Sequence, residues 1–202
     1  MPSKAYQRWI NYRLGTLQAL RDVHRAVGGT ERGRRWTTAE LNRLMTVAAV
    51  GEFSAFIREL FIESVQTLAL ASQQLELPTQ ELIAALASRT SETLTNPWPD
   101  QIARLFRGIG MTGDHAFWQT PEMRGHVPND RNALKALVEL RNSLAHGGAD
   151  RVTLKNVERQ VRLLKRLALS TDQAIGAFMA APNMAGTIPW DSHYGPLGDP
   201  FT

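Results

Sequence analysis

The sequence predicts an all-α protein, a helical bundle with two long core helices and an extended Pro/Gly-rich C-terminal tail. Three observations carry this. Apolar residues recur at three- and four-residue spacing through every long segment. No segment keeps the two-residue alternation of a half-buried strand. Gly, Pro, Asn and Asp cluster between the periodic segments, where turns belong.

The first predicted helix covers residues 5–27, with Trp9, Ile10, Leu14, Leu17, Leu20, Val23 and Val27 as its apolar set, and Gly28-Gly29-Thr30 ends it. Thr37-Thr38-Ala39-Glu40 has the pattern of a capping box before an apolar run. That run, from Leu41 through Phe53, Phe56, Leu60 and Leu70, is apolar nearly all round and reads as the central core helix. Gly51 inside it calls for a reason, and close packing against a second helix would supply one. A third helix starts at Pro78-Thr79, with Leu82, Ile83, Leu86 and Ala87 on one face. Asn96-Pro97-Trp98-Pro99-Asp100 is a break, after which Asp100 caps a short helix. Residues 108–130 read as an irregular connection. Asn129-Asp130 is the expected cap of the next helix, which Gly147-Gly148 terminate after His146. Thr153 opens the last helix, through about Ala181. The expected organisation is one helical domain over 1–181, with its core at 37–181, and a tail at 182–202 in which Trp190 and Tyr194 are candidate docking groups.

Composition narrows the chemistry. The chain has 202 residues and no cysteine, which removes disulfides, thiol catalysis and zinc–thiolate sites. The first twenty residues lack an apolar signal core, and no uninterrupted apolar run has membrane-spanning length. A soluble cytoplasmic chain without membrane contact is the expectation. The net charge of +4 suits an anionic partner without demanding one. Basic residues are scattered, and Arg32, Arg34 and Arg35 come nearest to a cluster. These and Arg58 are the candidate RNA phosphate contacts, although a solvated loop is the simpler reading of the first three. His24, His115, His126 and His193 show no ligand spacing, so neither a metal nor any other cofactor is expected. Gly108, Gly110 and Gly113 follow a helical stretch rather than a strand, which removes a dinucleotide loop.

One segment stands out as a carrier of chemistry: Leu140-Arg141-Asn142-Ser143-Leu144-Ala145-His146-Gly147. Asn142 and His146 are four apart and share a helix face. Arg141 and His146 are five apart, roughly 140° around an ideal helix. Imidazole titrates nearest neutrality, and a guanidinium is a permanently charged fork for phosphate oxygens. Together they fit RNA cleavage, in which His146 moves a proton and Arg141 stabilises transition-state charge. One imidazole does not easily serve as both acid and base, and two copies in a symmetric dimer would remove that difficulty. A histidine ahead of Gly-Gly is also an ordinary helix-terminal residue, and both readings stand on the residues alone.

The segment resembles the signature of the HEPN superfamily, an Arg and a His separated by four to six residues with a polar residue after the Arg. The stretches Gly51–Leu60 and Gln101–Gly110 are similar to parts of its RiboL-PSP-like branch, and the resemblance covers roughly 37–181. Many HEPN proteins are metal-independent endoribonucleases that act as dimers in toxin–antitoxin and anti-phage systems. The resemblance therefore implies an RNA substrate, a homodimer, and an antitoxin or defence-complex protein as a further partner. It implies Arg141 and His146 as catalytic residues, Asn142 in support, and Glu52 as an orienting group. Glu52 is read equally well as a charged residue on the less buried side of the core helix. One HEPN group carries a Tyr two residues after the His, and this chain has Gly148 there. The alternative function is a non-catalytic helical module that binds a partner protein or nucleic acid.

Overall fold

A computed structural model of the chain describes residues 2–28, 36–71, 77–111 and 127–180. Every regular element among them is helical. The order is α1 (Lys4–Arg8), a π-turn (Trp9–Arg13), α2 (Leu14–Gly28), α3 (Trp36–Ala71), α4 (Leu77–Glu92), α5 (Pro99–Arg107), α6 (Val127–Ala145) and α7 (Leu154–Met179).

Helix α3 is the axis of the bundle and packs against every other element. Its apolar girdle explains this. Met45, Ala49, Phe53, Phe56, Ile57 and Leu60 are all fully buried. One continuous core runs from Ala5 and Trp9 at the N-terminal end to Ile175 and Met179 in α7. Rings from three elements meet there, with Trp9 against Phe53 at 6.0 Å edge-on and Phe61 against Phe106 at 5.6 Å.

The N-terminal helix buries Trp9, Leu14 and Leu17. Trp9 and Leu14 are five apart, and a straight α-helix would turn them away from each other. The π-turn removes the conflict: the Leu14 N–H donates to the Trp9 carbonyl, five residues back, and both side chains reach the core. Val23 and Val27, expected in the apolar stripe, are exposed. Glu63 of α3 caps α1 by accepting from the Lys4 and Ala5 N–H groups, both at 2.9 Å.

Several sequence expectations are corrected. Helix α3 starts at Trp36, so Thr37 lies within its first turn rather than ahead of it. Gly51 is exposed and has nothing within 4 Å of where a Cβ would stand, so helix–helix contact does not account for it. Of the apolar face expected on α4, Ala87 is buried, whereas Leu82 and Leu86 are exposed. Helix α5 takes Trp98 as its N-cap residue with Pro99 following, and Asp100 sits in the first turn, paired with Arg131. Helix α6 begins at Val127, ahead of the expected cap, which puts Asp130 inside the helix. There the buried Asp130 accepts two hydrogen bonds from Arg166 of α7, at 2.9 and 2.6 Å. Those bonds raise the Arg166 pKa above its ordinary value. Thr153 caps α7 as expected, accepting from the Asn156 N–H. The 182–202 tail, with Trp190 and Tyr194, lies outside the described residues.

Candidate active site

Helix α6 ends at the motif, and its ending is specified locally. His146 is the last residue before the chain reverses, and Gly147 follows at φ +82°. The Gly147 N–H donates to the Leu144 carbonyl at 3.3 Å, and the Gly148 N–H to the Ser143 carbonyl at 2.8 Å. This pair of bonds is a Schellman motif, which needs a left-handed residue that glycine supplies without strain. Gly148 is required for a different reason. A Cβ there would stand 2.8 Å from the Ser143 carbonyl oxygen, so no side chain fits, a tyrosine least of all.

The His146 side chain is exposed at this helix end and makes no hydrogen bond to the described residues, whereas its N–H is held by the Asn142 and Ser143 carbonyls. Arg141 is half-buried. Its Nη1 donates to Asn142 Oδ1 at 3.1 Å, and its Nε is buried without a partner. No carboxylate among the described residues pairs with Arg141, which leaves most of its fork available to an anion. Asn142 is thus the group that steers the guanidinium while also sharing a helix face with His146.

The loop after His146 is fastened at several points. Arg43 of α3 donates to the Gly148 carbonyl, Ser143 donates to Asp150, and Asn42 Nδ2 donates to the Val152 carbonyl at 3.1 Å. Arg43 and Asn42 did not stand out in the sequence. Their signal is long-range, since they belong to the first turns of a helix about a hundred residues upstream of the loop they hold.

Glu52 lies elsewhere in the bonding pattern. It pairs with Arg13 of the π-turn, and Arg13 pairs in turn with Glu59 at 2.7 Å. Glu52 makes no bond to Arg141, Asn142 or His146. It lines a separate cavity of about 510 Å³ with Arg8, Tyr12, Arg13 and Thr16. Arg58 is half-buried and makes no ion pair among the described residues. Arg32, Arg34 and Arg35 fall outside the described residues. Among those described, no group of His, Asp or Glu gathers in a form that would hold a metal ion, and no helix is long and apolar enough to cross a membrane.

The family model RiboL-PSP-HEPN matches residues 86–177. Over these residues the chain matches a HEPN-type domain. The match takes in the end of α4, all of α5 and α6, the motif, and α7 nearly to its end. It does not reach α3, so the likeness noted at Gly51–Leu60 lies outside the matched HEPN segment. No curated protein and no solved structure matches the chain. A HEPN-type domain points to ribonuclease-type or other nucleic-acid-related work.

Proposed function

We propose that this HEPN protein is an endoribonuclease and that Arg141, Asn142 and His146 form one half of its active site. One observation carries the reading. Arg141 has no carboxylate partner among the described residues, is steered by Asn142, and lies on the last turn before an exposed imidazole.

The chemistry needs no group beyond the chain and the RNA. An imidazole takes the proton of a ribose 2′-hydroxyl, and the oxygen attacks the adjacent phosphorus. The bond from phosphorus to the 5′-oxygen breaks, and that oxygen receives a proton from an imidazolium. The products are a 2′,3′-cyclic phosphate and a 5′-hydroxyl. Arg141 binds the phosphoryl oxygens as charge builds on them. Acid and base must differ in protonation at the start, and each protomer offers one His146. Two protomers joined about α6 supply both imidazoles and both guanidinium groups, so the enzyme is a homodimer in this reading. Toxin or anti-phage service, with an antitoxin or defence-complex protein as regulator, is the setting such an activity suits.

The test is cleavage of mixed RNAs by purified protein in chelator, beside His146→Ala and Arg141→Ala. Loss of about 10²–10⁴-fold on removing the imidazole is expected for proton transfer. Loss of about 10²–10³-fold is expected on removing the guanidinium. Equal cleavage by all three proteins would overturn the proposal, as would a wild type that leaves every RNA intact.

A further inference from the structure

Helices α6 and α7 leave an open groove of about 480 Å³ between them. Its floor is apolar, built from Ala133, Ala136, Leu137 and Leu140 of α6 with Leu163 of α7. The four α6 residues follow the three- and four-residue spacing of one helix face, and Ala136 on it is exposed. The rim on the α7 side is basic. Arg159, Arg162 and Arg166 line it, and among the described residues no acidic or aromatic side chain does.

Lys155 continues the same line. Lys155, Arg159, Arg162 and Arg166 fall within roughly 60° of one another around an ideal helix and span roughly 16 Å of it. All four are exposed. Arg166 is engaged by Asp130, whereas Lys155, Arg159 and Arg162 make no ion pair among the described residues. Glu158, the nearest carboxylate in the sequence, is turned to Arg21 at 3.0 Å. Like charges three and four apart repel one another on a helix, so a partner of opposite sign relieves this face.

An apolar floor beside a line of unpaired cations fits one kind of occupant. We infer that the groove docks an amphipathic helix of another protein, with its apolar face on Ala136 and Leu140 and its acidic flank along Lys155, Arg159 and Arg162. The floor spans seven residues of α6, roughly 10 Å, which suits two turns of a helix. A second copy of this chain, itself at +4, lacks the complementary charge. An RNA strand would use the cations, but it finds no ring to stack on and has no need of the apolar floor. The groove lies apart from the proposed catalytic face, because Asn142 is two residues beyond Leu140 and roughly 160° around α6 from it. The inference therefore goes beyond the ribonuclease reading and does not depend on it.

The experiment uses the full chain and fluorescence anisotropy with a labelled synthetic peptide of about 18 residues, long enough to hold a helix in water. Leucines recur along one face of the peptide, and glutamates flank them. Two controls keep the length: one carries lysine for every glutamate, and the other is reordered so that no face is apolar. The acidic amphipathic peptide should bind about ten-fold more tightly than either control. Joint substitution Arg159→Glu and Arg162→Glu, at two exposed positions, should reverse the order in favour of the lysine peptide. Misfolding would weaken both peptides together, so a reversal reads charge alone. Ala136→Gln, also at an exposed position, puts a polar side chain on the floor and should weaken the acidic peptide about ten-fold. Equal binding of the three peptides overturns the inference, and so does a charge-reversed protein that still prefers glutamate. Displacement by single-stranded RNA at lower concentration than by the unlabelled peptide assigns the basic line to RNA and overturns the protein partner. A wild-type dimer that Ala136→Gln dissociates assigns the groove to a second copy, with the same result. RNA cleavage is scored separately, and its presence or absence bears only on the ribonuclease reading.

Discussion

Gly148 lies directly against Ser143, its N–H 2.8 Å from the Ser143 carbonyl oxygen, and this contact is what stops α6 at His146. Replacing Gly148 with alanine puts a Cβ into that carbonyl. Gly148→Ala should cost on the order of 1–3 kcal/mol, the range for forcing a group into space already filled. It should also lower RNA cleavage, because the imidazole is carried by the turn it disrupts. Thermal melts followed by circular dichroism measure the first effect. An unchanged melting temperature would show that the turn accommodates a side chain.

Gly51 should behave in the opposite way. It sits in mid-helix, exposed, with open space where a Cβ would go. Gly51→Ala should stabilise the protein by about 0.5–1 kcal/mol, the difference in helix propensity. Urea unfolding at equilibrium reads this directly. A destabilised variant would reveal a partner surface against that face of α3.

The Asp130–Arg166 pair predicts an asymmetry. The Asp130 side chain is 6% exposed, and that of Arg166 is 47%. Arg166→Ala leaves a buried carboxylate without its partner and should cost about 3 kcal/mol or more. Asp130→Ala leaves an arginine that water can reach, and should cost clearly less. Denaturant midpoints of the two variants test the order, and equal losses would contradict it.

Alkaline stability should depend on Tyr6. Burial, then the charge of Asp172, pushes its phenol well above the ordinary value of 10.0. The folded state therefore holds this proton more tightly than the unfolded chain does. Its contribution is fully present below pH 10 and declines as pH rises past that point toward the folded value. Melting temperature should fall above pH 10, and Tyr6→Phe should flatten the fall. A profile that Tyr6→Phe leaves as steep would assign the loss to other groups.

The conservative substitution at Arg141 is expected to fail. Lysine keeps the charge but not the planar fork, nor the geometry in which Asn142 holds Nη1 while other donors face an anion. Arg141→Lys should fold normally and lose cleavage by about two orders of magnitude, the scale of one transition-state contact. Full activity in the lysine variant would mean that charge alone suffices.

Whatever depends on neighbours along the chain was legible in the residues alone. Helical periodicity is a relation among residues three and four apart, so the all-α fold and the core role of α3 were legible in it. So was the end of α6, because Gly147 and Gly148 act on carbonyls only a few residues back. The Arg141–Asn142 contact also belongs to one helical turn. Tertiary structure decided the rest, since a helix face carries no label for the helix it will meet. Glu52 found Arg13, Asp130 found Arg166, and Asn42 found the Val152 carbonyl, all across sequence separations that local patterns do not encode. The π-turn belongs with these, because only the demand that Trp9 and Leu14 enter one core makes a five-residue turn favourable. Helix α6 shows both levels at once: its motif is local, and the groove on its other face exists only because α7 packs beside it.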